Sequence, residues 1–217
     1  AHDGVRRAGP ELPVRFVGVS LNLTAAMENL AIFASGTGSN AKKINEYFEG
    51  HPNMRPRLIV SNNASAPVLA LAESHGLGQL VLKRASFYGS EALLEELKAH
   101  KITFVVLAGF LWLVPPYLVG AYKSRMVNIH PALLPKFGGQ GMYGMNVHRA
   151  VKAAGEQETG MTVHLVNEAY DEGAVLFQAS CPIAETDTPE DIARKVLALE
   201  HQYFAPAIES YLQNKSS

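Results

Sequence analysis

The chain has 217 residues, 47% of them hydrophobic and 18% charged, which suits one sizeable folded core and excludes a disordered or fibrous chain. Its formal net charge of −1 argues against nucleic acid as a partner, because that role draws on a basic face. No apolar stretch is long enough to span a bilayer. Cys181 is the only cysteine, so neither an internal disulfide nor a thiolate metal cage is possible, and a cytoplasmic setting is expected.

Residues 1–26 show mixed polarity without a helical or strand period, and Met27 is followed at once by a strand-like run. They read as a leader, non-native or disordered, with Met27 as the native start. Their apolar piece "VGVSLNL" is too short and too polar for a secretory signal core. An organelle-targeting peptide built on Arg6, Arg7 and Arg15 is opposed by Asp3 and Glu11.

From Leu30 short apolar runs alternate with amphipathic ones. "LAIFAS" (30–35), "RLIVSNN" (57–63), "LVLK" (80–83) and "ITFVVLAGF" (102–110) read as strands. Between them "AKKINEYFEG", "APVLALAESHGLG" and "GSEALLEELKAHK" read as helices, the first closed by Gly50 and the third capped by Ser90. The alternation predicts an open, mostly parallel, Rossmann-like α/β sheet with right-handed crossovers. The apolar continuity of 102–110 predicts a central strand. Further on, "TGMTVHLVNEAYDEGAVLFQASCPI" (159–183) reads as a C-terminal antiparallel hairpin around "DEG". Residues 188–212 form a long closing helix, with Thr188 as its cap and Pro189 at the first helical position.

The loop "SGTGSN" (35–40) lies between the first strand and the first helix. Gly36 and Gly38 permit a sharp turn, and the helix-start N–H groups, with Ser39 and Asn40 beside them, suit a phosphate or carboxylate. Gly36, Gly38 and Ala41 also fit the looser dinucleotide pattern, yet no Asp or Glu occurs from His51 to Ala72, where a ribose-binding acid belongs. One phosphate is the better reading, and a tight connection that binds nothing is the bland one. The missing acid likewise counts against a nicotinamide-dependent oxidoreductase and a non-catalytic nucleotide-binding module.

In "VNIHPALLPKFGG" (127–139), Asn128 and His130 stand two apart on an extended segment and so share a face. Pro131 keeps His130 out of the helical region. At the carboxyl edge of an open sheet, an amide beside an imidazole suits an oxyanion, and the imidazole can also move a proton near neutral pH. A lone histidine is more often structural; the paired Asn128 and the proline behind it favour chemistry. Asp171, in "YDEG" at the hairpin tip, is the candidate carboxylate and equally an ordinary turn residue.

Taken in order from Leu30 to Leu212, "FASGTGSN", "VLAGF", "VNIHPALLPKF", "GMTVHLVNEAYDEG" and "LEHQYF" resemble the folate-dependent phosphoribosylglycinamide formyltransferases. The resemblance implies a single formyltransferase domain over 27–217. It implies transfer of the formyl group of N10-formyltetrahydrofolate, as co-substrate, to the amino group of glycinamide ribonucleotide in de novo purine biosynthesis. On this likeness Asn128, His130 and Asp171 are catalytic, Gly38, Ser39 and Asn40 hold the substrate phosphate, and Glu200 holds the ribose hydroxyls. Phe110, Leu111, Trp112, Leu113 and Val114, with Val166 and Asn167, match the folate-pocket walls, while Thr162 and His164 match polar positions near the triad. No metal, nucleic acid or membrane is implied, and a monomer and a homodimer both stay open. A formyltetrahydrofolate hydrolase, using the same triad with water, is the alternative. Trp112 and Ser90 stand where the family often has arginines, which leaves Lys83 and Arg84 as replacements towards the folate tail. The glycines and methionines of "GGQGMYGMNV" (138–147) predict a mobile flap over the site.

Overall fold

The computed structural model describes residues 26–169 and 171–215, so the leader expected over 1–26 lies, apart from Ala26, outside the described residues. Among the described residues seven strands form one sheet: β1 (Glu28–Phe33), β2 (Met54–Ser61), β3 (Gly78–Val81), β4 (Phe104–Leu107), β5 (Met126–His130), β6 (Glu158–Leu165) and β7 (Val175–Pro182). Their spatial order is β3-β2-β1-β4-β5-β6-β7. The first five in chain order run parallel; β6 and β7 are antiparallel. As the apolar run 102–110 predicts, β4 is the middle strand, and all four of its residues are buried.

Alternate residues of each strand face opposite layers. Leu30, Ile32, Phe104 and Val106 pack with α1 (Ser39–Phe48), α2 (Val68–Ser74), α6 (Met145–Ala153) and α7 (Pro189–Lys215). Ala31, Phe33, Val105 and Leu107 pack with α3 (Arg84–Gly89), α4 (Ala92–Ala99) and α5 (Pro116–Ala121). Phe33, Phe48, Phe87, Phe104 and Phe204 are fully buried, and burial of each contributes roughly 1.5–3 kcal/mol.

Two local features differ from the pattern reading. The six-residue α3 lacks a clear period and is not foreseen. Ser90 does not cap the next helix: its Oγ turns back and donates to the Ser86 carbonyl at 3.1 Å, and Glu91 precedes α4 without a side-chain cap. The start of α7 is as expected. The Asp191 N–H donates to Thr188 Oγ1 at 3.1 Å while the Thr188 N–H donates to Asp191 Oδ2 at 2.8 Å, a reciprocal cap. Gly38 is fixed by both backbone and packing, since its φ is +74° and an added Cβ would lie 2.3 Å from Val68 Cγ2 on α2.

Replacing Thr188 by Ala removes one half of the α7 cap. The expected loss is about 1 kcal/mol. It should appear as a fall of about 2–4 °C in the thermal unfolding midpoint, with the near-UV spectrum unchanged.

Candidate active site

Strand β5 ends at the carboxyl edge, and the antiparallel β6 sets His164 opposite Asn128 and Thr162 opposite His130. Four polar side chains therefore share one face of two strands. The β6–β7 connection then brings Asp171 back over them. Asp171 Oδ1 accepts from Asn128 Nδ2 at 3.3 Å, and Oδ2 accepts from the Gly139 N–H at 3.1 Å. His130 Nδ1 lies 3.4 Å from Oδ2, and His164 Nε2 lies 3.4 Å from Oδ1. The structure thus joins the three residues singled out as a catalytic set.

His130 is buried, and its Nε2 donates to the Phe137 carbonyl at 2.7 Å. That bond occupies Nε2 and leaves Nδ1, beside Asp171, as the entry point for a second proton. Burial lowers the pKa of His130; the Asp171 carboxylate and the Phe137 carbonyl raise it but do not outweigh burial. The resting ring is therefore neutral at neutral pH. For Asp171, burial pushes the carboxyl up, but the His164 and His130 imidazoles in their protonated forms, with the Gly139 N–H, outweigh it and hold the group below the usual range. Phe137 and Asp171 both adopt left-handed backbone, with φ of 57° and 55°, so strained conformations flank the imidazole on both sides. Thr162 secures the turn behind His130: its Oγ1 donates to the Ala132 carbonyl at 2.6 Å and accepts from the Leu134 N–H at 3.1 Å.

These groups open into a cavity of about 1040 Å³ that also reaches Gly38, Ser39, Asn40, Phe110, Leu111 and Glu200. Gly38 precedes α1 with no side-chain cap, which leaves first-turn N–H groups for a ligand. Asn40 Nδ2 donates to Glu200 Oε2 at 2.7 Å, whereas Asn40 Oδ1 is buried without a partner. Burial pushes the Glu200 carboxyl up, against the lowering effect of Asn40.

The other expected pocket residues do not line this cavity. Trp112 packs on Phe87 and Phe110, with Arg84 stacked 5.4 Å from its ring centroid and 5.2 Å from that of Tyr88. The Leu113 carbonyl accepts from the Tyr88 hydroxyl, Val114 is buried in the core, and half-buried Val166 packs against the same apolar group. Asn167 Oδ1 accepts from the Ala169 N–H. Thr162 and His164 support the site from the strands without lining the cavity. Within the glycine-rich segment, Gln140, Met142, Tyr143 and Met145 line the cavity, with Tyr143 more than half exposed. His148, which belongs to no motif, lines it as well, buried and with Nδ1 unpartnered.

A mixed sheet carrying this cluster at its carboxyl edge defines a class. The Formyl transferase family model matches residues 28–208, and the chain belongs to that family. It is similar to the chloroplastic phosphoribosylglycinamide formyltransferase of Arabidopsis thaliana, with 39% identity over 87% of this chain, and it spans 66% of that protein's length. It is 32% identical to phosphoribosylglycinamide formyltransferase of Bacillus subtilis, over 86% of this chain and 95% of that protein. Among solved structures it resembles glycinamide ribonucleotide transformylase 1 from Symbiobacterium toebii. That match has a TM-score of 0.78 and 34% identity, covering 87% of this chain and 89% of that one. Among the described residues no helix is long and apolar enough to cross a membrane.

Substituting Asp171 by Asn removes the carboxylate that favours the charged form of His130. The His130 imidazole should then gain its second proton only at a lower pH than in the wild type. An NMR titration of the ring checks this, and an unchanged midpoint would mean that the carboxylate does not act on it.

Proposed function

We propose that this chain transfers the formyl group of N10-formyltetrahydrofolate to the amino group of glycinamide ribonucleotide, a step of de novo purine biosynthesis. The observation that carries this reading is one cavity that joins the Asn128–His130–Asp171 cluster to an uncapped helix start and a buried carboxyl group. A phosphate sits at the first turn of α1, on backbone N–H groups and the positive end of the helix dipole. Glu200 takes the ribose hydroxyls, and Phe110 with Leu111 supplies an apolar wall for the folate.

In the reaction the amine nitrogen attacks the formyl carbon, the carbonyl becomes an oxyanion, and the carbon–N10 bond then breaks. The amine gives up one proton and N10 gains one. Asn128 donates to the oxyanion. Asp171 receives the amine proton and passes it to His130 Nδ1, 3.4 Å away, and the imidazolium so formed stabilises the oxyanion by charge before the proton reaches the leaving nitrogen. Pre-placed donors of this kind act where charge develops, and loss of one lowers turnover on the order of a hundredfold or more. A hydrolase with the same triad would leave the α1 start and Glu200 without a task, which favours the transferase. Residues 27–217 act as one domain in this reading, in a reducing cytoplasm where Cys181 stays a free thiol.

The deciding experiment incubates the protein with N10-formyltetrahydrofolate, with and without glycinamide ribonucleotide, and follows tetrahydrofolate. Release is expected only with the ribonucleotide; release without it makes the protein a hydrolase, and none in either case removes both readings. Asn128→Ala and His130→Ala should each lower turnover by about a hundredfold or more with the native near-UV spectrum retained, although loss of a buried hydrogen bond lowers the unfolding midpoint by a few degrees. Glu200→Gln should instead raise KM for the ribonucleotide by roughly tenfold with a smaller effect on kcat.

A further inference from the structure

We infer that His164 is a positioning residue: it holds the Asn128 amide so that one N–H points at the oxyanion, and the inference rests on the formyl transfer proposed above. The two residues face each other across the β5–β6 ladder, and the His164 ring is buried. His164 Nδ1 lies 2.9 Å from the Leu165 carbonyl. A carbonyl can only accept, so Nδ1 carries the ring proton. In the neutral ring Nε2 is then bare, and it accepts from Asn128 Nδ2 at 3.1 Å. The opposite arrangement, Nε2–H donating to Asp171 at 3.4 Å, would set two donors against each other at the shorter distance.

Asp171 Oδ1 is the second acceptor for the same amide nitrogen, at 3.3 Å. The three distances close a nearly equilateral triangle, so the two acceptors subtend about 60° at Nδ2, half the spread of its two N–H bonds. One N–H is shared between them, and the other is left for the cavity that Asn128 lines. A flipped amide would turn its oxygen towards a lone pair and a carboxylate, so the pair of acceptors selects one orientation.

Local backbone holds His164 in turn. The ladder shifts register at Val163/His164. Across from it, a Cβ on Gly173 would fall 1.5 Å from the Leu165 carbonyl oxygen and 3.4 Å from His164 Nδ1. Glycine in "DEG" therefore lets the hairpin lie against the carbonyl that sets the tautomer. The clamp runs from Gly173 through Leu165 and His164 to Asn128.

Two measurements test this. Nitrogen-15 NMR of the intact wild-type protein at neutral pH should show His164 protonated at Nδ1 and bare at Nε2; a proton on Nε2 overturns the inference. In kinetics, His164→Phe should lower kcat on the order of ten- to a hundredfold, with KM for both substrates nearly unchanged. His164→Gln, whose side-chain oxygen can stand in for Nε2, should recover most of that loss. If His164→Phe does not fold, His164→Asn replaces it, keeping a donor towards Leu165 and lacking the distal acceptor. The same change in an Asn128→Ala background should cost nothing further, whereas an equal loss in both backgrounds overturns the link. An inactive wild-type protein with His164 in the expected tautomer would sink the proposed reaction and leave the amide clamp standing.

Discussion

The site depends on how one carboxylate, that of Asp171, is shared. It accepts from a backbone N–H and a side-chain amide and faces two imidazoles, so it ties together β5, the segment after Phe137 and the end of β6. Taking away a partner of a buried charged group leaves desolvation uncompensated, at about 1–3 kcal/mol or more for each bond lost. The antiparallel turn of the sheet makes this convergence possible. A further parallel crossover would carry the chain to the far edge, whereas the β6–β7 hairpin returns its tip to the place where β5 ends.

Within that frame two opposed forces act on His130. Burial disfavours a charged ring, and Asp171 with the Phe137 carbonyl favours one; burial prevails in the resting state. In the proposed reaction an imidazole kept neutral until the amine attacks can still receive a proton, and it would become charged only as the oxyanion forms. A permanently charged ring would stabilise the oxyanion but would have no capacity to accept. The strained backbone at Phe137 and Asp171 fits this picture, because both residues hold their polar groups against the ring at the cost of an unfavourable conformation.

Much of this was legible in the sequence because it follows from period and from proline. The apolar run 102–110 marks the central strand, since only a strand covered on both faces tolerates it. "NIHP" places two polar side chains on one face and keeps them extended. Asp171 could be named only by its turn and by resemblance, as nothing local says where a hairpin tip will fold. The rest was hidden for physical reasons. "RASFYG" is too short to show a helical period, so α3 is not legible in it, and Ser90, which reads as the start of the next helix, ends this one instead. Trp112 and Val114 lie beside residues that do line the cavity, but the loop's path turns one onto an aromatic cluster and the other into the core. His148 borders the cavity from α6, a placement that no spacing rule encodes.

The electrostatics of the cavity leave one apparent conflict. Its lining among the described residues includes two carboxyl groups, Asp171 and Glu200, and no lysine or arginine, yet the proposed substrates are anions. The structure resolves this by reducing the effective negative charge. Burial favours the neutral form of Glu200, and the Asn40 amide already occupies one of its oxygens. Asp171 is offset by its own donors and by the proton His130 takes up. What remains near α1 is the positive end of a helix dipole with uncapped N–H groups, a weak but directional attraction. In the proposed reading such a site would select a phosphate by hydrogen-bond geometry rather than by net charge. An anion bound there would lie next to a carboxyl group with no cation in the described lining to compete for Asp171, the carboxylate that the proposed reaction uses to carry a proton.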